Sequence, residues 1–284
     1  MRVKTLARES RTGWARKVKT TLTARDVEIL YAMGVCGVLR TRDIKRLFFG
    51  SQGTANDRLN KLKCKAFVEA HVRCLSEDNY YTLTGKGRDV VVEHLGLDPD
   101  ALKVVKRLPA KLGHLLAITD VRLHIAIACR TGGYDLVSFE TDADLAVARH
   151  AQLLDLIPDA KVTVRSKTTG ELITFFLEAD LGSESVTFLV RHKLTTYARH
   201  AALSTSLYGV INPLVALVVP GLRRARNIAR ALSDARVETR VVFSLFSLLT
   251  ETNVLAAAYA LPSDLVAAGP EAVATEIFQR RLLP

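Results

Sequence analysis

The first third of the chain places apolar residues at helical spacing between residues that cap helices and residues that break them. Thr23 is a predicted N-cap, and the apolar stripe that follows it ends at Gly34. Thr41 is predicted to cap a second helix, Arg42 to Phe49, which Gly50 terminates. The side chains predicted to face inward are Val27, Ile29, Leu30, Met33, Ile44, Leu47 and Phe48.

A third helix is predicted from Ser51 to Lys65, with one apolar and one polar face. Ala55, Leu59 and Leu62 follow one another at positions i, i+4 and i+7, so they form a buried seam. The opposite face begins with short polar side chains and ends with cations. A DNA recognition helix needs that arrangement, because polar groups bond base edges while cations hold phosphates. The polar face comprises Gln52, Thr54, Asn56, Arg58, Lys61 and Lys63.

Two strand-like runs and a closing helix follow the third helix. The runs Phe67 to Leu75 and Asn79 to Leu83 predict a hairpin that would act as a wing, and Thr84 is predicted to cap a helix ending at Leu95. This order within residues 21–96 is typical of a winged helix-turn-helix. Double-stranded DNA is the partner it favours, and a protein-interaction or dimerisation module is the alternative. The further predicted DNA contacts are Arg42, Tyr81, Lys86 and, in a basic tail at 1–20, Arg16, Lys17 and Lys19.

The rest of the chain has a different pattern. Residues 97–112 combine prolines with a cluster of cations and are predicted to form a linker. From 113 to 284 predicted strands alternate with helices, which indicates an α/β domain with a mixed sheet. The predicted helices are 114–131, 186–204 and 222–234, and the predicted extended segments are 136–140, 152–157, 161–165, 171–180, 214–219 and 240–248.

The distribution of charge supports a polyanionic partner. Of the net charge of +11, residues 1–20 carry +6, residues 21–95 carry +3, and the remaining 189 residues carry only +2. Because neutralising phosphates supplies most of the non-specific affinity for nucleic acid, a cationic N-terminal third favours DNA. A solvated tail without a partner is the alternative interpretation.

Several other classes are disfavoured. No run of 18 apolar residues predicts a membrane span, and no glycine-rich phosphate loop predicts an ATPase. The four cysteines form no C-x-x-C pair and have no histidines at zinc spacing, so they are expected to be reduced thiols in a cytoplasmic protein. No cofactor is predicted.

One group of residues in the second domain could carry chemistry. Pro158-Asp159, then Glu178 and Asp180 at the end of a predicted strand, and then Lys193 could hold Mg²⁺ and stabilise developing charge on a phosphodiester. Two carboxylates at a strand end are also common in proteins that bind no metal. Asp159 and Glu178 are the metal ligands if a metal is bound.

The ordered motifs resemble those of the replication-relaxation proteins. They are LTARDVEILYAMGVCGVLRTRDIKRLFF, YYTLTGKGRDV, HLLAITDVRL, LIPDA and FFLEADLGSES, followed by the segment 193–197. The resemblance covers about 23–220 and implies a winged-helix domain joined to a restriction-endonuclease-like core. It also implies an accessory role in replication or transfer of plasmids and mobile elements. On this resemblance Asp159 and Glu178 match the acidic positions of the nuclease core.

The sequence departs from the nuclease pattern at one position. Such cores place lysine two residues after the second acid, where this chain has Asp180, although Lys193 could substitute from the following helix. We therefore expect a core that does not cleave and that dimerises or contacts replication or relaxase proteins. The alternatives are a metal-dependent endonuclease targeted by the winged helix, and a transcriptional repressor or protein-interaction module.

Overall fold

The computed structural model describes residues 22–74, 77–152, 155–269 and 271–283. These residues divide into two compact units, one extending to Thr119 and the other beginning at Asp120. The predicted tail contacts Arg16, Lys17 and Lys19 lie outside the described residues.

The described part of the N-terminal unit combines helices with a three-stranded antiparallel sheet of order β1-β3-β2. Its hairpin pairs Val68 with Leu83 and His71 with Tyr80. The elements are α1 (Ala24–Cys36), β1 (Leu39–Arg40), α2 (Thr41–Phe48), α3 (Gln52–Cys64), β2 (Val68–His71), β3 (Tyr80–Leu83) and α4 (Gly85–Leu95).

Side-chain caps begin most of these helices. Thr23 Oγ1 accepts a hydrogen bond from Asp26 N, and the Asp26 carboxylate accepts one from Thr23 N at 2.6 Å, which completes a capping box. Ser51 caps α3 and Thr84 caps α4. These three predicted caps are confirmed.

The predicted start of the second helix is wrong by one residue. The N-cap of α2 is Arg40, and Thr41 is already helical. The Asp43 carboxylate accepts a hydrogen bond from Arg40 N at 2.8 Å, so the first turn closes one residue earlier. Among the side chains predicted to face inward there, Ile44 is fully buried, whereas Leu47 and Phe48 are half-buried.

The segment predicted as a linker packs on the N-terminal unit. Leu102 is buried, and Lys103 N donates a hydrogen bond to Gly34 O at 2.7 Å. A short 3-10 turn, Pro99–Ala101, precedes it. Apolar residues 105, 108, 115 and 116 pack with Val38 and Leu112. The segment is therefore ordered by contacts with α1 and its surroundings.

The C-terminal unit is built on a five-stranded mixed sheet, as predicted. Strands β4, β5 and β6 pair antiparallel, whereas β6, β7 and β8 are parallel. The elements to the end of the sheet are α5 (Leu112–Thr131, which begins in the preceding unit), β4 (Tyr134–Thr141), α6 (Asp142–Gln152), β5 (Ala160–Ser166), β6 (Leu172–Ala179), α7 (Val186–Phe188), a π-helical turn (Leu189–Leu194), α8 (Thr195–Ala202), β7 (Leu214–Val219), α9 (Leu222–Asp234) and β8 (Val241–Leu245).

The two faces of the sheet are covered by different helices. The Arg122 guanidinium of α5 lies 4.8 Å from the centre of the Phe139 ring, so α5 covers the face to which Phe139 points. Val162 pairs with both Phe139 and Phe175, so Phe175 points to the same face as Phe139. Phe176, the next residue, points to the opposite face, because side chains alternate along a strand. It shares a buried cluster with Tyr197 of α8 and Ile228 of α9. The helices after β6 and β7 therefore lie together on that second face.

The predicted extended segment from Gln152 to Ile157 is wrong. Gln152 ends helix α6, which the pattern did not predict, and residues 155–157 form no strand. Asp144 begins that helix by accepting hydrogen bonds from Thr141 N and Thr141 Oγ1, each at 2.8 Å. Four elements near the end were also not predicted: β9 (Ala257–Tyr259), α10 (Pro262–Ala267), α11 (Ala274–Ile277) and β10 (Arg280–Arg281).

Helix α5 has the length and composition of a membrane-crossing helix. Its most apolar window has a mean hydropathy of 1.4, and half of that window is buried within the protein. It is the one such helix in the part of the chain that the structure describes. The core helix of a soluble protein meets the same two criteria, and Arg122 is itself buried at mid-helix.

Candidate functional site

The outer face of α3 is the first candidate site. The seam Ala55, Leu59 and Leu62 is buried, as predicted, and turns the opposite side of the helix to solvent. The side chains exposed there include Gln52, Thr54, Asn56, Asp57, Lys61 and Lys63. The polar groups occupy the first half and the two lysines the second half. The face therefore combines amide donors and acceptors with cations.

Arg58 differs from the rest of that predicted set. Its guanidinium makes two hydrogen bonds to the carboxylate of Asp26, whose side chain is fully buried in α1. Burial raises the Asp26 pKa, but the hydrogen bonds from Arg58 and Thr23 outweigh it and leave that pKa below its usual value. The same ion pair raises the pKa of Arg58. Arg58 thus joins α3 to α1 within the unit.

Three other predicted DNA contacts have different surroundings. Tyr81 is buried in the centre of the small sheet with 3% of its surface exposed, so it is removed from the candidate set. Lys86 is exposed at the start of α4 and donates a hydrogen bond from Nζ to Lys65 O at 2.9 Å. Arg42 is exposed and pairs with Asp78 beside the hairpin at 3.3 Å.

The second candidate site lies in the C-terminal unit, where β5 begins and β6 ends. Ala160 pairs with Leu177 in the antiparallel register, so Asp159 and Glu178 are cross-strand neighbours. Asp159 Oδ2 accepts a hydrogen bond from Ala179 N at 2.7 Å, which fixes the carboxylate beside Glu178. Glu178 is 1% exposed and points to the same face as Phe176. The pattern therefore brought the two acids together correctly.

The helical segment after β6 supplies two partners for Glu178. Lys193 Nζ lies 3.0 Å from Glu178 Oε2 and 4.0 Å from an oxygen of Asp159. The Tyr197 hydroxyl donates a 2.6 Å hydrogen bond to Glu178 Oε1. Lys193 lies within the π-helical turn, and Thr195 Oγ1 donates to Val190 O in the same turn. Both carboxylate oxygens of Glu178 are therefore bonded to side chains.

The ionisation of this cluster follows from burial and charge. Burial, followed by repulsion from Asp159, raises the pKa of Glu178 to about 7, although Lys193 and Tyr197 act in the opposite direction. Burial alone would lower the Lys193 pKa, but attraction to Glu178 and Asp159 outweighs it and holds that pKa above its usual value. Burial and the neighbouring Glu178 raise the pKa of Tyr197. Lys193 is therefore the stable cation of the cluster.

Asp180 does not join Asp159 and Glu178. Its carboxylate accepts hydrogen bonds from Arg224 of α9, with Nε at 2.7 Å from Oδ2, and from Gly182 N at 2.8 Å. Arg224 also donates to Glu184 O at 2.6 Å. The predicted constellation is thus corrected: Asp180 lies just beyond the last residue of β6, Ala179, and its carboxylate holds α9 to the end of that strand.

The cluster does not present a group of metal ligands. Within the described ranges, no three His, Cys, Asp or Glu side chains converge on a point that could hold a metal ion. The space between Asp159 and Glu178 faces the Lys193 ammonium, whose positive charge opposes a divalent cation there.

The comparisons with known proteins identify the family. The family model described as replication-relaxation matches residues 30–214, which is more than half of the chain. The protein belongs to the replication-relaxation family. No curated protein and no solved structure matches the chain.

Two residues of the second site in this replication-relaxation protein escaped the sequence analysis. Tyr197 follows Lys193 by four residues, so both lie on one helical face, and that spacing could have identified it. Arg224 lies 44 residues beyond Asp180, and no local pattern links the two. The parallel pairing of β6 with β7, the strand that α9 follows, brings them together.

Proposed function

We propose that this replication-relaxation protein binds double-stranded DNA as an accessory or regulatory factor in the replication or transfer of a plasmid or mobile element. In this proposal the N-terminal unit is a winged helix-turn-helix, in which α3 enters the major groove and the β2–β3 hairpin is the wing. A homodimer that contacts replication or relaxase proteins stays a prediction.

The exposed polar face of α3 carries the proposal. Gln52 and Asn56 are both exposed near the N-terminal end of α3, one turn apart, and their side-chain amides lie 3.5 Å from each other. Side-chain amides can bond the N6 and N7 atoms of adenine in the major groove. Lys61 and Lys63, farther along the same helix, supply charge for the phosphates. A helix face that only contacts solvent does not require amide side chains in its first half and lysines in its second half.

The first experiment measures DNA binding by the full chain. Selection from a random duplex library should yield a preferred site, and binding should weaken steeply as salt rises. The variant Gln52→Ala/Asn56→Ala should bind all duplexes with similar affinity, because it loses the base contacts. A chain that ignores duplexes even in dilute buffer would refute the proposal.

The phosphate contacts have a separate test. Lys61→Ala/Lys63→Ala should weaken binding to every sequence and reduce the magnitude of the salt slope by about 2, at about 0.9 per contact. The matched control is Lys106→Ala/Lys111→Ala, which removes two exposed lysines elsewhere in the same unit. Equal effects of the two variants would assign the loss to net charge alone and would exclude α3 as the contact surface.

For the C-terminal unit we propose a restriction-endonuclease-like core that does not cleave. Support comes from Lys193, whose ammonium bonds Glu178 and approaches Asp159, where catalytic cores of this kind use a divalent cation. The pairing of the two acids across β5 and β6 favours the second candidate, a metal-dependent nuclease. Incubation of plasmid DNA with Mg²⁺ or Mn²⁺ separates the two. Cutting by the wild-type chain that Glu178→Ala abolishes would establish the nuclease.

A further inference from the structure

The helices that follow β6 and β7 are rich in cations, although the C-terminal unit as a whole has little net charge. Residues 186–202 and 222–234 together contain seven lysines or arginines and one carboxylate, Asp234. Both segments pack against one face of the sheet through residues such as Leu194 and Ile228. Their outer sides are therefore cationic, although the last 189 residues of the chain sum to only +2.

Four of the seven cations are used inside the unit. Lys193 bonds Glu178, and Arg224 bonds Asp180. Arg199 pairs with Asp155, and Arg226 donates to Gly269 O at 2.6 Å. These contacts explain the presence of four cations without any external partner.

The other three arginines form what we call the arginine face: Arg191, Arg223 and Arg230. All three are exposed, and none pairs with a carboxylate in the ranges that the structure describes. Arg223 and Arg230 lie seven residues apart on α9, with exposed Asn227 between them, so they project from one side of that helix. Ile228 and Ala229, on the other side, are fully buried.

An exposed aromatic pair lies beside this surface. Phe188 is 46% exposed, and its ring centre lies 4.5 Å from that of His192, next to Arg191. Helix α7, which contains Phe188, contacts α9. An exposed phenylalanine three residues before Arg191 offers a flat surface on which a base can stack, as in proteins that bind single-stranded nucleic acid.

We propose that the arginine face is a second DNA-contact surface, separate from α3, that binds the phosphate backbone without regard to base sequence. This inference rests on the proposed DNA-binding function. Arginine is suited to the role, because its planar fork of donors matches the oxygens of a phosphate. The two segments that carry the arginine face contain one carboxylate, Asp234 at the end of α9, and Glu184 precedes α7.

Two DNA-contact surfaces on one chain have a consequence for function. The unit that selects a site through α3 could hold one segment of DNA while the arginine face holds another segment or a displaced strand. Sequence preference would then come from α3, whereas the arginine face would add affinity and salt dependence for any sequence.

The test compares two variants of the full chain that lose the same charge. Arg191→Ala/Arg223→Ala/Arg230→Ala removes the face, and Arg130→Ala/Arg165→Ala/Arg281→Ala removes three exposed arginines located elsewhere on the unit. Binding to a 30-nucleotide single strand and to its duplex is measured over a range of salt. For the face variant, we expect the magnitude of the salt slope to fall by about 2 to 3 on the DNA form that occupies the surface. The control variant should retain most of the wild-type slope.

Further variants identify that DNA form and check the sign of the effect. If the single strand is bound, Phe188→Ala should weaken binding to it and leave duplex binding unchanged. Asp234→Asn, which removes the carboxylate of α9, should strengthen binding to the same form. Thermal unfolding of the arginine and Asp234 variants should match that of the wild type, because these side chains are exposed, and Phe188→Ala should lose little stability, since nearly half of this residue is exposed.

The outcomes distinguish this inference from the proposed function. If the Lys61/Lys63 variant loses binding but the face variant equals its control on both DNA forms, the arginine face does not bind DNA and the role of α3 stands. The inference is also overturned if the face variant loses affinity for polyglutamate but not for DNA. A wild-type chain that binds neither DNA form overturns both proposals.

Discussion

At the scale of single residues, the carboxylate of Glu178 is tightly constrained. It is buried beside Asp159 and yet bonded through both oxygens, by Lys193 and by Tyr197. Removing one partner of a buried ion pair leaves the other charge uncompensated, which generally costs several kcal/mol. The cluster therefore holds the helical segment after β6 against the start of β5 and the end of β6.

The raised pKa of Glu178 predicts a dependence of stability on pH. The folded chain binds this proton with a pKa of about 7, compared with the usual 4.5, so the free energy of unfolding should fall as pH rises from about 4.5 to about 7. At about 1.4 kcal/mol per pKa unit the full change is about 3 kcal/mol. Denaturant unfolding at several pH values should show this slope in the wild type. Glu178→Gln should abolish this pH dependence. If the wild type and the variant show the same dependence of stability on pH, Glu178 is not the group that causes it.

Arg58 gives a second prediction at this scale, because Asp26 depends on it. Arg58→Ala should lower the free energy of unfolding by about 1–3 kcal/mol, since it removes two hydrogen bonds from a buried carboxylate. Arg42→Ala is the control: it breaks an exposed pair with Asp78 and should cost less than about 1 kcal/mol. Equal losses in the two variants would mean that Arg58 is free to serve another role, such as a base contact.

What the sequence could predict about individual residues depended on how local their partners are. Asp159 and Glu178 precede and end predicted strands, so antiparallel pairing alone brought them together. The partners of Arg58 and Arg224 lie 32 and 44 residues away in the sequence. The local pattern around a cation on a helix is the same whether its partner is a phosphate or a buried carboxylate of the same protein. Tyr81 was misplaced because a tyrosine in a short hairpin strand suits either an exposed wing or a core.

At the scale of elements, the contact between α4 and the hairpin depends on a glycine. A Cβ on Gly87 would lie 2.1 Å from the carbonyl oxygen of Phe67 and 2.7 Å from a methyl carbon of Leu83. Neither α4 nor the strand can accommodate that overlap without moving. The glycine thus allows the helix to lie directly against the hairpin.

Gly87→Ala should therefore destabilise the protein by about 1–3 kcal/mol, the usual cost of forcing extra atoms into a packed site. Gly85→Ala, two residues earlier, meets nothing within 4 Å and should be neutral or stabilising by up to about 1 kcal/mol. Denaturant unfolding of the two variants checks both signs. A gain in stability from Gly87→Ala would show that the helix and hairpin are loosely packed.

The elements that could be predicted from sequence are those with strong local patterns. Caps at Thr23, Ser51 and Thr84 and the apolar runs of β6 and β7 identify helices and strands without tertiary context. Helix α6 was missed because residues 141–151 were assigned to no element, although Thr141 and Asp144 have the spacing of a capping box. The elements after Leu249 contain only two to six residues each. Strand β9 and helix α10 take their positions from packing against β8 and α9, and β10 pairs with β9.

At the scale of the whole molecule, charge is arranged differently in its two parts. The N-terminal third carries most of the net charge, +9 of +11, and counting charged residues along the sequence reveals it. The C-terminal unit is nearly neutral in sum, but residues 186–202 and 222–234 contain seven cations and one carboxylate, and three of those cations are the exposed arginine face. A sum over residues could not reveal that separation, because it depends on which side of each helix is buried.

The basic leader at residues 1–20 gives the last prediction, which concerns the full chain. It contains seven lysines or arginines and one acid, so its deletion removes a charge of +6. If the leader contacts the duplex, deletion should weaken binding and reduce the magnitude of the salt slope by up to about 6, at about 0.9 per phosphate contact. Replacing the seven cations by glutamine keeps the length and should have the same effect, because the proposed role is electrostatic. An unchanged slope in the glutamine variant would mean that the leader stays clear of DNA, and the phosphate contacts would then have to come from α3 and the arginine face.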